Sequence, residues 1–312
     1  MPAIVTVTFS PCIDKSTTIP VLVPEKKLLC AAPTLEPGGG GINVARAITK
    51  LGGQATAIYP AGGYTGNYFT GILQQENIPS IAIKTVNATR ENMIVLDLAS
   101  NKQYRFGMPG TLLREEEWQQ CLEAIENIGG IEFIIASGSL PPGVPHDIFA
   151  RIAVIAKYKK AKLVIDTSGD ALQLAANEGV YLLKPNLGEL ASLTGKEELN
   201  EQEVYAAGRE LIAKGNCELV VISMGASGAV LISKHEQWRA VAPIVKTQST
   251  VGAGDSMVAG VVLSLSHNKP LKEVLQYGVA CGTAATLRPG AELCRAGDVH
   301  KLFDTIRCSP VQ

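Results

Sequence analysis

Four short runs in the middle of the chain consist almost entirely of apolar residues. Strands that are apolar on both faces are typical of parallel sheets, which helices cover on both sides. Segments with helical spacing separate the runs, so the alternation predicts βαβ units and an α/β fold. The four apolar runs are 133–136, 163–165, 181–183 and 219–222, and the helical segments are 146–158, 186–194 and 201–214.

Two polar, strand-rich insertions, at 12–36 and 86–108, interrupt this pattern. We expect them to pair into a small sheet over the carboxyl edge of the large sheet, where ligands bind in doubly wound folds. An uncovered apolar face on such a sheet would favour a partner subunit. The remaining predicted elements are strands at 3–9, 55–61, 229–232 and 238–242, and helices at 67–75 and after residues 41 and 256.

Composition excludes several classes of function. The chain has 312 residues, of which 46% are hydrophobic and 18% charged, and its formal net charge is −1. This balance predicts a large core and gives no electrostatic basis for binding nucleic acid or an anionic membrane. No apolar run approaches the length of a membrane span. Seven dispersed cysteines without a Cys-x-x-Cys pair predict buried free thiols in a reducing cytoplasm.

The turn Gly252-Ala253-Gly254-Asp255 directly precedes a stretch of helical spacing. Backbone N–H groups of such a turn, at the positive end of a helix dipole, suit a phosphate. Asp255 beside them could take a proton from a hydroxyl, as transfer of a phosphoryl group to an alcohol requires. Taken alone, the same four residues are more typical of a helix-capping turn, in which the acid stabilises the helix dipole. The rival phosphate-binding device, a G-x-x-x-x-G-K-[ST] loop, is absent from the sequence.

A run of four glycines, Gly38 to Gly41, leads into a second amphipathic helix. Glycines cost chain entropy and contribute no packing, so a close approach of the backbone to a ligand is the favoured interpretation and a flexible linker the alternative. Asn43 at the start of that helix could donate to and accept from sugar hydroxyls, although an ordinary polar residue at a helix start would look the same.

Further polar residues follow predicted strands. Asp14 could bind a diol or simply stabilise a turn. Lys184, Asn186 and Glu189 follow an apolar strand, and Asn186 with Glu189 matches a capping box. The same two residues could instead hold Mg²⁺ near a nucleotide, through water.

Three more residues depend on how the insertions fold. Arg90 and Lys27 lie in the insertions, and Ser139 lies in a Pro/Gly-rich turn after a strand. If the insertions cover the site, these residues are candidates to bind a substrate phosphate; otherwise they are surface residues.

In this order and spacing the motifs resemble the ribokinase-like carbohydrate kinases, the PfkB family. Residues 38–46 resemble the first signature of the family and residues 249–256 the second. Within the family, segments 36–41, 104–110, 137–143 and 248–250 most resemble the ribokinase-type bacterial 6-phosphofructokinases. The 1-phosphofructokinases and tagatose-6-phosphate kinases usually carry a lysine where Gly40 stands.

The resemblance implies a single domain over 1–312, a three-layer αβα sandwich with a mostly parallel central sheet, and a small β-sheet lid that makes a dimer contact. It implies an ATP-dependent sugar-phosphate kinase that needs Mg²⁺, with fructose 6-phosphate as the expected acceptor. It assigns Asp255 as the base and Gly252, Ala253 and Gly254 as the anion hole. Asp14, Gly39 and Asn43 would hold sugar hydroxyls, and Lys27, Arg90 and Ser139 would lie near the sugar phosphate. Lys184, Asn186 and Glu189 would face the nucleotide phosphates and Mg²⁺, and Ser223, Gly225, Ser249 and Val251 would border the nucleoside.

Two positions depart from the resembled enzymes. Those enzymes carry an arginine where this chain has Leu29, and that arginine helps to bind the sugar phosphate across the dimer. The departure keeps tagatose-6-phosphate kinase and 1-phosphofructokinase as alternative activities, and a catalytically silent sensor as a remote one. The 287–292 loop differs in its side chains from a loop that helps to ring a monovalent cation, although backbone carbonyls could still bind K⁺. Because Lys27 is retained, we also expect some inhibition by excess ATP.

Overall fold

A computed structural model describes residues 3–311; Met1, Pro2 and Gln312, the ends of the domain expected over 1–312, lie outside the described residues. Two sheets organise the described part of the chain. The large sheet has ten strands, in the order β14-β13-β12-β11-β10-β9-β8-β1-β4-β5. Its strands are β1 Ala3–Val7, β4 Ala55–Gly62, β5 Ser80–Thr85, β8 Ile131–Ser137, β9 Lys162–Asp166, β10 Val180–Leu183, β11 Cys217–Ser223, β12 Ala229–Ser233, β13 Gln237–Val241 and β14 Arg307–Pro310.

Seven adjacent strands of the large sheet, from β5 to β11, are parallel, and β12 to β14 add antiparallel strands at one edge. The chain runs from β1 outward through β4 to β5 and then restarts at β8 on the other side of β1. The carboxyl ends of the parallel strands meet at one edge, and a crevice forms where the strand order reverses. The residues that follow β1 and β8 therefore lie at the centre of that edge.

Helices cover both faces of the large sheet and give the expected three layers. One apolar core contains residues of α1, α2, α8 and α9, and the other contains residues of α3, α4, α5 and α7. The helices are α1 Gly40–Lys50, α2 Gly63–Gln75, α3 Glu115–Asn127, α4 Ile148–Lys159, α5 Gly169–Glu178, α6 Leu187–Leu193, α7 Glu201–Ala213, α8 Ala253–Ser266, α9 Leu271–Thr286 and α10 Ala296–Phe303.

The two insertions form the expected small sheet. Its strands are β2 Cys12–Ile19, β3 Thr34–Gly38, β6 Arg90–Asp97 and β7 Lys102–Phe106, in the order β3-β2-β6-β7. β2 follows β1 and β6 follows β5, so both insertions leave the large sheet at its carboxyl edge. Opposed residues share a face of a sheet. Asp14 lies opposite Asn92, and Arg105 opposite Ile94, on what we call the inner face. Met93 and Phe106 are opposed on the outer face.

Several sequence expectations need correction. The sequence analysis placed no helix between β9 and β10, where α5 lies, and it began α2 four residues late. The cysteines are all free, as expected, but Cys30 is exposed and Cys308 is half-buried, whereas the other five are buried. Among the residues that the structure describes, no helix is both long and apolar enough to cross a bilayer.

Candidate active site

The turn that ends in Asp255 forms the start of α8. Gly252 is the residue before the helix and has φ 70°, in the left-handed region that glycine adopts without strain. A Cβ atom at this position would also overlap the side chain of Leu293. The helix that follows is 14 residues long, so its first N–H groups form an effective anion site.

Asp255 lies in the first turn of α8 and is held by a residue from the other glycine motif. Asn43 Nδ2 donates to Asp255 Oδ2 at 2.9 Å, a contact between residues 212 positions apart. Burial raises the pKa of Asp255 to about 7, and the negative charge of Asp166 adds to this effect, whereas the Asn43 hydrogen bond and Lys184 oppose it. A carboxylate that titrates near neutral pH is suited to act as a general base.

Asn43 has a second polar atom without a partner in the described residues. The side chain is buried, and its Oδ1 makes no hydrogen bond there. Because an unpaired buried acceptor is costly, the site fits a ligand hydroxyl that would donate to Oδ1.

The glycine run places α1 against the loops at the carboxyl edge of the large sheet. Gly39 has φ 115°, again in the left-handed region. A Cβ atom on Gly40 would overlap Ser137 Oγ and lie 2.7 Å from the backbone nitrogen of Gly138. The run is therefore closely packed against the loop after β8, so the flexible-linker interpretation is wrong, whereas a close approach of its backbone to a ligand stays a prediction.

Asp14 lies on the inner face of the small sheet beside the glycine run. Its carboxylate is buried, and Oδ1 accepts from Asn92 Nδ2 at 2.9 Å. A Cβ atom on Gly38 would overlap Oδ2, so this glycine makes room for the carboxylate.

Lys184 and Asp166 form a buried ion pair at the carboxyl ends of β10 and β9. Lys184 Nζ lies 3.0 Å from Asp166 Oδ1 and would lie 3.6 Å from a methyl group placed on Gly254. Burial alone would lower the pKa of Lys184, but the carboxylates of Asp166, Glu189 and Asp255 raise it above its usual value. The lysine is therefore charged beside the turn Gly252-Ala253-Gly254-Asp255, which we call the anion turn.

Both interpretations of Asn186 and Glu189 are compatible with the structure. Asn186 Oδ1 accepts from the Glu189 N–H at 2.9 Å, and Glu189 Oε2 accepts from the Asn186 N–H at 2.8 Å, so the capping box is formed. Burial raises the pKa of Glu189, and nearby Asp166 raises it further, against the opposing effects of the cap and Lys184. The described residues contain no cluster of three His, Cys, Asp or Glu side chains that would hold a metal directly.

The three residues expected near a sugar phosphate differ in how firmly they are placed. Arg90 is fixed across the inner face, donating to Met108 O at 2.7 Å and to Ser10 O at 3.2 Å. Ser139 is exposed in the loop after β8, and Lys27 is exposed in the loop between β2 and β3.

A cavity of about 380 Å³ lies beside the anion turn, and Ala253 and Gly254 are among its lining residues. Ser223 and Gly225 line it, as expected. Ser249 and Val251 do not; Ser249 Oγ accepts from the Val251 N–H at 3.2 Å and shapes the turn instead. The lining residues that the sequence analysis missed include Pro243, Ile244, Val245, Met257, Val279 and Thr283.

Two polar residues of the site were also missed. Asp166 ends β9 and pairs with Lys184. Arg105 reaches from β7 toward the anion turn, and its Nη2 donates to Thr250 Oγ1 at 3.0 Å. An acid at the end of an apolar strand was the available signal for Asp166. Arg105 lies in the segment 104–110, which was part of the family resemblance, but no neighbouring residue indicated that its side chain reaches Thr250.

Comparisons with known proteins agree with this geometry. A model of the pfkB family of carbohydrate kinases matches residues 7–296. The chain is 43% identical to ATP-dependent 6-phosphofructokinase isozyme 2 of Escherichia coli K12, over 97% of this chain and 98% of that protein. It is 31% identical to a 1-phosphofructokinase of Bacillus subtilis, over 90% of this chain and 91% of that protein.

Solved structures of phosphofructokinase-2 from E. coli have the same fold. The complex with fructose-6-phosphate has a TM-score of 0.93 at 42% identity and covers 98% of this chain and 99% of its own. The complex with potassium has a TM-score of 0.94 at 43% identity, with the same coverage.

Proposed function

Because the chain belongs to the pfkB family of carbohydrate kinases, we propose that it transfers the γ-phosphoryl group of ATP to the 1-hydroxyl of fructose 6-phosphate. The products are fructose 1,6-bisphosphate and ADP. The observation that carries this proposal is the pair of Asp255 and Asn43, which joins the two glycine motifs at the start of α8.

The chain's own residues provide a base beside an anion site. Asp255 takes the proton of the 1-hydroxyl while that oxygen forms a bond to the γ-phosphorus and the bond from phosphorus to the ADP oxygen breaks. The N–H groups of Gly252, Ala253 and Gly254 stabilise the charge that develops on the transferred group. The raised pKa of Asp255 makes its carboxylate a stronger base for this step.

The sugar binds between the glycine run and the inner face of the small sheet. Asp14 and Asn43 accept from sugar hydroxyls, and the bare backbone of Gly39 lets the ring approach. Arg90, Ser139 and Lys27 bind the 6-phosphate, and the small sheet acts as a lid over the substrate. Because Lys27 is retained, inhibition by excess ATP is also expected, and it stays a prediction.

The nucleotide lies in the cavity beside the turn. Its adenosine fits between Ser223, Gly225 and the apolar lining, with Ser249 and Val251 shaping the adjacent turn. Lys184 and Asn186 bind the phosphates.

Mg²⁺ fits the acidic character of this region. The Glu189 cap uses Oε2 and leaves Oε1 for a metal-bound water. Mg²⁺, when bound with ATP, neutralises phosphate charge. Glu189 would hold the ion through that water.

K⁺ would bind through backbone carbonyls between the turn and the 287–292 loop. Three carbonyls of that loop already accept hydrogen bonds: Leu287 O from Gln248 Nε2 at 2.8 Å, Pro289 O from the Glu292 N–H at 3.4 Å, and Ala291 O from Arg46 Nη1 at 3.4 Å. The carbonyls of Arg288 and Gly290 would be the candidates to bind a monovalent cation. Bound there, K⁺ would stiffen the anion turn.

The outer face of the small sheet supports a homodimer. Met93 and Phe106 are 43% and 44% exposed there, and Leu29 in the adjoining loop is 79% exposed. A partner that covers these side chains removes apolar surface from water. The seven free cysteines support a reducing, cytoplasmic location.

Leu29 is the observation that favours a different sugar phosphate, because it removes a charged contact found in the resembled enzymes. The 1-phosphofructokinases and tagatose-6-phosphate kinases usually carry a lysine at the position of Gly40. Ser137 and Gly138 leave no room for a side chain there in this chain, which argues against those two activities. A silent sensor is opposed by the intact Asp255 and its glycines.

Asp255→Asn tests the proposal. The variant should fold and bind both substrates but lose at least about 10³-fold in kcat, because the amide accepts no proton. The control is Asp170→Asn, an acid in the first turn of α5 whose side chain is 80% exposed and pairs with His146, and it should keep wild-type turnover. A kcat for Asp255→Asn within about tenfold of wild type would exclude Asp255 as the base.

A further inference from the structure

Arg105 is a charged side chain for which the mechanism above has no role. It lies on the inner face of the small sheet, opposite Ile94, and its side chain is exposed. Its Nε donates to Gln103 Oε1 at 3.1 Å, and its Nη2 donates to Thr250 Oγ1 at 3.0 Å. The guanidinium is therefore directed from the small sheet toward the reaction centre.

Thr250 is the residue that the Arg105 guanidinium contacts on the other side of the cleft. It lies two residues before the anion turn, and it also lines the nucleotide cavity. The contact joins residues 145 positions apart, across the gap between the small sheet and α8. Arg105 thus lies where the phosphate end of a nucleotide would meet the sugar.

Two other basic side chains near the turn are held in place by contacts with the chain. Lys184 is buried in an ion pair with Asp166, and Arg90 is fixed by two carbonyls of the chain. Arg105, in contrast, has two neutral side-chain partners, and among the described residues it forms no ion pair. Its full positive charge is available at the surface of the cleft.

The site is acidic where the transfer must occur. Asp14, Asp166 and Asp255 are close enough for the first two to raise the pKa of the third. A phosphoryl group that passes between two phosphorylated substrates in this setting needs a cation that can follow it. An arginine suits this task because its planar N–H groups match two phosphoryl oxygens at once.

We propose, on the basis of the phosphotransfer above, that Arg105 is a further catalytic residue. With both substrates bound, its guanidinium leaves Thr250 Oγ1 and donates to the non-bridging oxygens of the transferred phosphoryl group. Arg105 stabilises charge only; the oxygen–phosphorus bonds form and break, and the proton moves to Asp255, as described above.

The test compares Arg105→Met with Lys102→Met in the full-length protein. Lys102 lies on the same strand, and its alternation with Arg105 places it on the outer face. Arg105→Met should lower kcat by at least about 100-fold, with KM for fructose 6-phosphate within about threefold of wild type. Lys102→Met should match wild type, and thermal unfolding verifies that both variants fold.

Two further readouts separate a catalytic from a structural role. Guanidinium ions added to Arg105→Ala should restore part of the lost turnover. Wild type should bind ADP with aluminium fluoride, Mg²⁺ and fructose 6-phosphate at least about 30-fold more tightly than Arg105→Met does, while ADP alone binds both equally.

Turnover of Arg105→Met within about threefold of wild type would overturn the role of Arg105, and so would an equal loss of ADP affinity without aluminium fluoride. Absence of sugar-phosphate turnover in the wild-type protein would instead overturn the proposed function itself.

Discussion

At the scale of single residues, the carboxylate that makes Asp255 suitable as a general base also lowers the free energy of unfolding of the protein. It is a carboxylate placed near Asp166 and Asp14, and burial with these charges raises its pKa to about 7. Such a group is poorly stabilised in its ionised form, which is the form that a base needs. The folded protein therefore tolerates an unfavourable charge at the position where the reaction requires one.

Asp255→Asn should accordingly stabilise the free protein in a pH-dependent manner. The folded-state pKa is raised above the unfolded value of about 4, so the wild-type protein loses stability as pH rises from about 4 to about 7. Asparagine resembles the protonated acid and is spared this loss. We expect equal unfolding free energies near pH 4 and a gain of about 4 kcal/mol for the variant near pH 8, by urea unfolding.

Asp170→Asn serves as the control in the same titration, because that side chain is 80% exposed. A variant that is no more stable than wild type at pH 8 would show that the Asp255 pKa is not raised.

The sequence predicted as site residues those whose residue type and surrounding motif indicate the same role, such as Asp255, Asn43 and Lys184. It missed Asp166 and Arg105 because their roles depend on contacts between distant segments. Asp166 pairs across two strands, and Arg105 reaches from the small sheet to Thr250. Asn186 and Glu189 remained ambiguous because a capping box and a metal-facing carboxylate use the same two residue types.

At the scale of elements, the junction of β3 and α1 positions the sugar site. Arg46 on α1 is buried; it donates to Pro37 O at 3.0 Å and pairs with Glu76 at 2.7 Å. Glu36 on β3 accepts from the Ala291 N–H at 3.1 Å. These buried contacts hold the small sheet and the 287–292 loop against the start of α1, and breaking such contacts is costly.

Gly38→Ala should therefore impair sugar binding specifically. A methyl group at this position would overlap Asp14 Oδ2 and displace the carboxylate. We expect KM for fructose 6-phosphate to rise by about tenfold or more, with KM for ATP changed by less than about threefold. Steady-state kinetics with each substrate varied in turn would measure this difference.

Gly71→Ala is the matched control, since Gly71 lies inside α2 and a methyl group there meets no atom within 4 Å. That variant should gain about 0.5–1 kcal/mol in stability and keep both KM values. Unchanged sugar KM in Gly38→Ala would contradict the role given to Asp14.

Most strands and helices could be predicted from their patterns, whereas α3, α5, α9, α10 and β14 were not predicted. The strands from β8 to β11 are apolar runs, and the small sheet was expected from its polar alternation. For α5 the physical reason is clear. Helix α5 was missed because its buried face consists of Ala171, Leu172, Ala175 and Ala176. Three alanines give a weak hydrophobic signal over only ten residues, and burial between α4 and the sheet, not periodicity, stabilises the helix.

At the scale of the whole molecule, the small sheet has two differently used faces. Its inner face carries Asp14, Asn92 and Arg105 toward the cleft, and its outer face exposes Met93 and Phe106. A single sheet could thus bind substrate on one side and a second subunit on the other. Assembly would then influence how firmly the inner face is held.

Met93→Glu combined with Phe106→Glu should convert a dimer into a monomer, because two charges would be buried in an apolar interface. Size-exclusion chromatography with light scattering would give the masses. Tyr158→Glu is the control, since Tyr158 is 90% exposed on α4, away from the small sheet. A monomeric wild type, or a double variant that stays dimeric, would contradict an interface on the outer face.

The identity of the phosphoryl acceptor can be determined with a coupled assay of ADP formation over a panel of sugar phosphates. We expect kcat/KM for fructose 6-phosphate to exceed the values for tagatose 6-phosphate and fructose 1-phosphate by about tenfold or more. A higher kcat/KM for either of those two sugars would contradict this expectation and would point to Leu29 as the position that changed the substrate.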